Sequence, residues 1–258
     1  KLFDCQHKLN TAKASIMKEE DYSYCVKMKN PDLDTGIEHL FRNRPQISKV
    51  EYQDVNRIFE QETMRHEMGF VKLKHGEYLM AMETGRPDVK TEMVRWWFWR
   101  HVQEKEHQIG YPGEHLSIHY SSRNKRYFNE PYGDFEENTV YPVERAGKKV
   151  IRLFIHFVHP RTFGISESNI KRTENGFLFC GFVGVMKGMR KHTKMLHYFK
   201  SNGDGIRLIS RFGLGNGLPR VLESIGANRQ LAYARTKHCS IEYNRLGFIL
   251  PELYNTYK

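Results

Sequence analysis

The sequence predicts an α+β fold in which a curved antiparallel sheet closes around a long C-terminal helix. Between about residue 95 and residue 215 the pattern is mostly that of strands and turns, and after Pro219 it becomes helical. A sheet with one apolar face has to bury that face, and a single long helix can cover it. A sheet that grips a helix in this way leaves a ligand-sized cavity between the two.

Three stretches predict the strands. KKVIRLFIHFVHP (148–160) alternates, with Ile151 and Ile155 on one side and Arg152 and His156 on the other. GFLFCGFVGVMKG (176–188) is almost wholly apolar, as a buried strand would be. MLHYFKSNGDGIRLISRFGLG (195–215) predicts a hairpin, because the Asn and Gly residues of SNGDG supply the positive φ angles of a tight turn.

The N-terminal part has a different pattern. DTGIEHLFRN (34–43) and EYQDVNRIFEQETMRHE (51–67) predict short amphipathic helices separated by polar loops. We therefore divide the chain into a small, mainly helical region, residues 1–78, and a sheet-and-helix domain, residues 79–258. The charge-rich stretch from residue 74 to residue 93 is taken as the connection between them.

Composition excludes several classes of protein. The net charge is +11, but lysine and arginine are interleaved with acids, and no nucleic-acid motif accompanies them. No run of about 18 apolar residues predicts a membrane span. The four cysteines are far apart, which argues against a cysteine-based zinc site. The wide spacing of the cysteines and a polar N-terminal stretch without a signal-peptide pattern lead us to expect a cytoplasmic protein.

The last helix carries the first candidate site. The helical pattern runs to Leu250, where Pro251 is expected to end it. His238 and Glu242 are four residues apart, so both lie on one face, and that face is opposite the polar arc. A buried carboxylate is costly unless it is paired or bound to a metal. The spacing therefore fits half of a metal site, but also a buried hydrogen-bonded pair or an ion pair of Glu242 with Arg235 or Arg211.

Other polar residues are less specific when taken singly. His101 follows the aromatic block RWWFWRH (95–101), and Glu144 precedes the clearest strand. Three further histidines are each more often structural than catalytic: His115, His156 and His197. A nucleophilic triad has little support, since no G-x-S-x-G is present.

Taken together, the segments resemble the diacetylphloroglucinol hydrolase family, which includes phloretin hydrolase. The resemblance covers about residues 90–255 and is carried by five pieces in order: WWFWRH (96–101), YPGEH (111–115), VYPVERAGKK before a strand ending FVHPRTFG, the hairpin from HYFKSNGDG to FGLG, and KHCSIEYNRLGFILPELY (237–254). It implies a helix-grip, Bet v 1-like catalytic domain behind a small helical domain that contributes to a homodimer. It also implies zinc-dependent hydrolysis of the carbon–carbon bond between an acyl group and a phloroglucinol ring.

The metal ligands implied by the resemblance are two histidines and two glutamates. Carried over by motif, they are His101, Glu144, His238 and Glu242. Extra residues around RYFNEPYGDFEEN (126–138) leave three competitors for Glu144, namely Glu130, Glu136 and Glu137. Two neutral imidazoles and two carboxylates form a site suited to zinc, manganese or iron.

The resemblance also implies an acid–base role for a histidine in the hairpin, which here is His197, and we assign Trp97, Tyr198 and His115 to substrate binding. The expected substrate is a small acylated polyphenol, either phloretin or an acylphloroglucinol, and the expected products are the phenol and a carboxylic acid. The chain departs from the family pattern at ISRFGLG (209–215) and at Tyr111, so the exact substrate stays open. The alternative is a non-enzymatic binder of hydrophobic ligands with the same fold.

Overall fold

The structure is a computed structural model of the 258-residue chain. It describes residues 22–43, 47, 54–60, 67–74, 76–100, 103–120, 136–146, 149–185, 193–203, 205–215 and 228–258. The helices are α1 Ser23–Lys27, α2 Thr35–Asn43, α3 Arg57–Glu60, α4 Thr91–Arg100, α5 Glu104–Gly110, a 3₁₀ turn Pro160–Phe163, α6 Glu167–Arg172 and α7 Arg229–Tyr257. The strands are β1 Gly69–Lys72, β2 Tyr78–Arg86, β3 His115–Tyr120, β4 Thr139–Ala146, β5 Lys149–Arg152, β6 Phe154–Val158, β7 Phe177–Gly184, β8 Thr193–Asn202 and β9 Gly205–Leu214.

The described strands form one antiparallel sheet in the order β1-β2-β9-β8-β7-β6-β4-β3, with β5 also paired to β4. The inner face of the sheet packs against α7 and α4 in the main hydrophobic core. A smaller core lies on the outer face, where Ile58 of α3 packs with Leu196 and Tyr198. The predicted α+β helix-grip class is therefore confirmed. Among the described helices, none is both long enough and apolar enough to cross a membrane.

The predicted hairpin is confirmed as β8 and β9, which pair from Thr193↔Leu214 to Asn202↔Gly205. Gly203 in the turn has a φ of 61°, a value that glycine adopts without strain. Alternation along β8 sends Met195 and His197 to the inner face and Tyr198 to the outer one. The hairpin register therefore decides which of these side chains can reach the cavity.

The strand predicted over residues 148–160 is confirmed, but it is interrupted. Leu153 separates β5 from β6, and its backbone N–H donates to the carbonyl of Pro142, 2.9 Å away. The prediction that strands and turns begin at about residue 95 is wrong, because the tryptophan block lies in helix α4. Trp96, Trp97 and Phe98 are consecutive and all buried, so this helix packs on more than one side and lacks a clear amphipathic period.

The charge-rich stretch from residue 74 is not merely a connection, since it contains the long strand β2. Glu83 on this strand is buried and forms ion pairs with Arg207 and Arg211 of β9, which allows a charged residue inside a sheet. β1 pairs with β2 from Gly69↔Ala81 to Lys72↔Tyr78, so the sheet begins before residue 78.

Of the two N-terminal helices predicted, α2 is present, α3 covers four residues, and residues 61–66 lie outside the described part.

The C-terminal helix α7 does not end at Pro251, as its sequence predicts, but continues to Tyr257. Asn228 caps its first turn by accepting a hydrogen bond from the Leu231 N–H at 2.9 Å. A proline inside a helix costs about 3 kcal/mol. Leu250 before the proline and Leu253 after it are fully buried, and the packing of both sides outweighs that cost.

Candidate metal site and cavity

A cavity lies between α7 and the inner face of the sheet and contains about 850 Å³ of empty space, including its open mouth. Most of its lining is aromatic or aliphatic. The ionisable groups that line it include four side chains close together: His115, Glu144, His238 and Glu242. A mainly apolar cavity with a few convergent polar groups is the usual form of a small-molecule site.

Three elements bring these four residues together. His115 is the first residue of β3, and it is the register partner of Glu144 on β4, so the two stand side by side across the antiparallel pair. His238 and Glu242 are one turn apart on α7 and face the sheet at that point. The helix thus supplies one imidazole and one carboxylate, and the sheet edge supplies the other two.

The donor atoms converge closely. The Nε2 atoms of His115 and His238 are 3.2 Å apart. Glu242 places Oε1 3.9 Å from Nε2 of His115 and Oε2 3.9 Å from Nε2 of His238. Oε2 of Glu144 is also 3.9 Å from Nε2 of His238. One donor atom from each of His115, Glu144 and His238 lies within 4.8 Å of the other two, which is the spacing of a metal-ligand group.

His115 is held in a defined orientation by helix α5. Its Nδ1–H donates to the carbonyl oxygen of His107 at 3.0 Å, and the two imidazole rings stack with centroids 4.2 Å apart and planes within 4°. A proton on Nδ1 leaves the lone pair on Nε2, the atom that points at His238. Metal-binding histidines are typically oriented by a second hydrogen bond of this kind.

Burial keeps both histidines neutral. Burial lowers the pKa of His115, although the nearby carboxylate of Glu144 opposes it. Burial likewise lowers the pKa of His238 to about 3, again against Glu144. Neutral imidazole is the form that binds a metal ion, so neither residue has to lose a proton at neutral pH before it can act as a ligand.

The pKa values of Glu144 and Glu242 shift in opposite directions. Burial alone would raise the pKa of Glu144, but His238 and Arg235 outweigh it and lower that pKa overall. The Arg235 guanidinium donates to Oε2 of Glu144 at 3.0 Å. Burial, reinforced by the negative charge of Glu144, raises the pKa of Glu242 to about 8. At neutral pH Glu242 therefore keeps its proton, which it would release on binding a metal ion between the two glutamates.

The donor set fits a zinc ion. With bonds of about 2.0–2.2 Å in a tetrahedral site, neighbouring ligand atoms are roughly 3.3–3.5 Å apart. The separations around His238 Nε2 are 3.2 Å to the second imidazole and 3.9 Å to each carboxylate, which is close to that range. His115, Glu144 and His238 form the compact donor group, and Glu242 lies beside it. Nitrogen and oxygen donors also suit manganese and iron, so the geometry leaves the identity of the metal open.

A second polar group lies on the floor of the cavity. His197 is 2% exposed, and its Nδ1 is 2.8 Å from Oγ of Ser210 on the neighbouring strand. Its ring contacts three aromatic side chains at centroid distances of 4.9–5.2 Å: Phe179, Phe212 and Tyr243. We call these three residues, together with His197, the aromatic arm. Burial lowers the pKa of His197 to about 3, so its imidazole is neutral at neutral pH.

The structure brings together three of the four ligands proposed from sequence, Glu144, His238 and Glu242. His101 lies outside the described residues, and the imidazole found beside these three belongs to His115, which the sequence assigns to substrate binding. Of the competitors for Glu144, Glu130 is outside the described residues. Glu136 and Glu137 lie instead near His159 and His156, at 3.5 and 3.9 Å.

Arg211 and Arg235, the partners considered for Glu242, contact other carboxylates. Arg235 pairs with Glu144, whereas Arg211 pairs with Glu67 and Glu83. The two remaining substrate-binding candidates do not line the cavity. Trp97 is 2% exposed in the main core, and Tyr198 lies in the outer core.

The roles of His107 and Ser210, and the pairing of Arg235 with Glu144, are not among the features predicted from the sequence. Ser210 could have been found by counting from the turn, because pairing Asn202 with Gly205 also pairs His197 with Ser210. No comparable signal exists for His107 or for the contact between Arg235 and Glu144. Both depend on elements that are distant in sequence.

Solved structures with a similar fold include Ara h 8.0201, with a TM-score of 0.36, 11% identity and coverage of 66% of this chain and 98% of that chain. Human STARD10 has a TM-score of 0.43 and 9% identity, covering 84% of this chain and 87% of that chain. The major latex-like protein 151 of Panax ginseng has a TM-score of 0.37 and 10% identity, covering 66% of this chain and 98% of that chain.

Sequence relatives are more informative. A 2,4-diacetylphloroglucinol hydrolase of Pseudomonas protegens is 25% identical over 234 residues, which represent 80% of this chain and 73% of that protein. The family described as "DAPG hydrolase PhiG domain" matches residues 50–255, a span that includes the whole cavity and all four residues of the cluster. The chain therefore belongs to the DAPG hydrolase family.

Proposed function

We propose that the protein is a metal-dependent hydrolase that cleaves the carbon–carbon bond between an acyl group and a phloroglucinol-type ring. The observation that carries the proposal is the convergence of two neutral imidazoles and two carboxylates at the wall of a cavity lined by aromatic side chains. Membership of the DAPG hydrolase family and the name of the Pseudomonas relative support the choice of substrate.

His115, Glu144, His238 and Glu242 would hold the ion, which we propose to be zinc. In this role His115 replaces His101 of the sequence-based assignment, because its Nε2 atom faces that of His238. A bound divalent ion would supply Lewis-acid polarisation of the ketone and would acidify water. Arg235 offsets one of the two negative charges, and His107 fixes the ring of His115.

The aromatic arm would bind the phenol ring. Phe179, Phe212 and Tyr243 provide apolar faces for an aromatic substrate, and His197 provides the polar contact. Ser210 holds Nδ1 of His197, which leaves Nε2 for a ring hydroxyl. Because His197 enters the reaction neutral, we assign it to holding that hydroxyl and relaying its proton, and not to storing a proton of its own.

The overall reaction consumes one water molecule. The acyl carbon gains the hydroxyl of water, the bond from that carbon to the ring breaks, and the ring carbon gains a proton. A phloroglucinol ring can adopt a keto tautomer, which makes the protonated ring a leaving group. The products are the free phenol and a carboxylic acid.

Metal content tests the site directly. We expect purified wild-type protein to carry close to one zinc ion per chain, and His115→Ala, His238→Ala and Glu242→Ala to carry about tenfold less, because each removes one ligand. Two matched controls should keep the metal. They are His119→Ala, an exposed histidine on the same strand as His115, and Glu252→Ala, an exposed glutamate on the same helix as Glu242. Full zinc content in the three cluster variants would contradict the site.

His101→Ala decides between the two histidine assignments. We expect it to retain the metal, whereas His115→Ala loses it. The opposite result would restore the assignment made from the sequence.

Activity is measured as release of phloroglucinol from monoacetylphloroglucinol and phloretin, and of monoacetylphloroglucinol from diacetylphloroglucinol. The three cluster variants should lose at least about 100-fold in kcat/KM, and the two controls should stay within about twofold of wild type. A protein that binds these compounds but has neither metal nor turnover would instead be the non-enzymatic ligand binder.

Homodimer formation, a cytoplasmic location and the absence of a nucleic-acid partner stay predictions from the sequence.

A further inference from the structure

One part of the cavity lining is aliphatic. It consists of six residues that carry no polar side-chain atom: Ile118, Val140, Pro142, Leu153, Ile155 and Val183. We call them the aliphatic wall. They come from β3, β4, β6 and β7 and from the break between β5 and β6.

The aliphatic wall is continuous. Ile118 pairs with Pro142, Val140 pairs with Ile155, and Ile155 pairs in turn with Val183. Leu153 joins the same patch through its backbone bond to Pro142. Neighbouring strands are about 4.8 Å apart, so these side chains lie close enough to form one surface.

The wall leads away from the metal cluster. Glu144, Pro142 and Val140 occupy alternate positions on β4 and all three line the cavity, so they share one face of the strand. A strand rises about 3.4 Å per residue, which places Val140 about 14 Å along the strand from Glu144. The aromatic arm lies elsewhere in the cavity, on β7, β8, β9 and α7, so the cavity has two chemically distinct parts.

An aryl ketone also has two parts, a ring and an acyl group, joined at the carbon where the bond breaks. We propose that the aliphatic wall binds the acyl group, and that the substrate is an acylphloroglucinol whose acyl part is an apolar chain of several carbons. This inference rests on the proposed function, because it assumes that the ring occupies the aromatic arm. It assigns the six wall residues to acyl-chain specificity.

The wall also disfavours a polar acyl group. A hydroxyl at the end of the acyl chain, as in the hydroxyphenyl group of phloretin, would find no side-chain donor or acceptor among the six wall residues. A buried hydroxyl without a partner weakens binding by roughly tenfold. We therefore expect the 3-phenylpropanoyl analogue that lacks this hydroxyl to be a better substrate than phloretin.

The first test is a series of monoacylphloroglucinols with acetyl, butanoyl and hexanoyl groups, assayed with the zinc-loaded protein. Each buried methylene should improve kcat/KM roughly fourfold, so that hexanoyl, with four more methylenes, exceeds acetyl by roughly 250-fold. The gain should appear as a lower KM with little change in kcat, because the chain is remote from the bond that breaks. Equal values across the series, or acetyl as the best substrate, would overturn the inference and leave the proposed function intact.

The second test introduces a larger side chain into the aliphatic wall, so that it occupies the space proposed for the acyl chain. Val183→Phe should lower the ratio of kcat/KM for the hexanoyl compound to that for the acetyl compound by at least about tenfold, since the longer chain needs more of the filled space. The matched control is Val185→Phe, which makes the same change two residues further along at a position that is 51% exposed. It should leave both substrates as in wild type. An equal loss for both substrates in Val183→Phe would contradict a role in chain binding.

Affinity gives a readout that does not need turnover. Kd values for the same three compounds, from quenching of intrinsic tryptophan fluorescence, should fall with chain length in wild type and Val185→Phe but not in Val183→Phe. If no compound is hydrolysed, the proposed function fails, and the Kd series still decides whether the wall binds an alkyl chain. Kd values independent of chain length would then overturn the inference as well.

Discussion

Glu144 and Glu242 line the same cavity, yet their surroundings shift their pKa values in opposite directions. Glu144 is buried and the side chain of Glu242 is 20% exposed, and of the two only Glu144 accepts a hydrogen bond from an arginine of the described residues, at 3.0 Å. The pKa of Glu144 is lowered by His238 and Arg235 in spite of burial, whereas burial raises that of Glu242 to about 8. At the scale of single residues, the partner of each carboxylate and not its chemistry sets its charge.

His197 provides a residue-scale prediction about pH. Burial lowers its pKa from 6.5 to about 3, so the unfolded chain binds one more proton than the folded one between these values. This contribution to stability is fully present above about pH 6.5 and is lost as the pH falls towards 3. The free energy of unfolding of wild type should therefore fall more steeply below pH 6.5 than that of His197→Asn, by up to about 1.4 kcal/mol per pH unit.

Urea unfolding at pH 7, 6, 5 and 4.5 measures this difference. Asparagine retains a polar atom near Oγ of Ser210. His115 and His238 are present in both proteins, so the pH dependence that they contribute to the free energy of unfolding cancels in the comparison. Parallel curves for wild type and variant from pH 7 to 4.5 would show that His197 is not held neutral by burial.

At the scale of elements, helix α7 is fixed to β2 by the contact of Arg86 with Gly247. The Arg86 side chain crosses the helix at this glycine, its Nη2 donates to the carbonyl of Asn244 at 3.1 Å, and its guanidinium lies 4.8 Å from the ring of Phe248. A Cβ on Gly247 would collide with the Arg86 side chain. The glycine therefore permits close approach of helix and strand, although glycine weakens a helix.

A double-mutant cycle tests this contact. Alanine is favoured over glycine inside a helix by about 1 kcal/mol. In wild type we expect Gly247→Ala to destabilise the protein by about 1 kcal/mol, because displacing Arg86 outweighs the gain in helix propensity. In an Arg86→Ala background, the same change should stabilise it by about 1 kcal/mol. The same sign in both backgrounds, measured by urea unfolding, would contradict the proposed packing.

At the scale of the whole molecule, the cluster joins parts of the chain that are far apart in sequence. Residues 115, 144, 238 and 242 come from two neighbouring strands and the C-terminal helix, so their donor atoms converge only when the sheet has closed around α7. A metal ion bound there, as proposed, would hold helix and sheet together. Binding to the folded state alone must then appear as added stability.

Removal of the metal should lower the thermal stability of the wild-type protein. Binding at about 1,000 times Kd contributes about 4 kcal/mol. For a chain of this size that corresponds to a decrease in Tm of roughly 10 °C. Differential scanning calorimetry with and without EDTA should show this decrease in wild type and Glu252→Ala but not in Glu242→Ala. An unchanged Tm in wild type would indicate that no structural role accompanies the site.

The sequence by itself determined the features that depend on local geometry. Spacing of four residues puts His238 and Glu242 on one helical face, and alternation with a tight turn defines the β8–β9 hairpin and thereby pairs His197 with Ser210. Strand β4, which carries Glu144, is likewise local in origin. The resemblance to the DAPG hydrolase family added the expectation that these pieces form one site.

Only the tertiary structure decided which partners these residues meet. The register between β3 and β4 places His115 beside Glu144. Arg235, which lies one turn before His238 on α7, donates a hydrogen bond to Glu144. Packing on both sides of Pro251 keeps α7 helical beyond the proline. Packing also buries the tryptophan block, which is helical in α4. Burial and charge pairing between distant segments produce all of these outcomes, and periodicity within one segment contains no information about them.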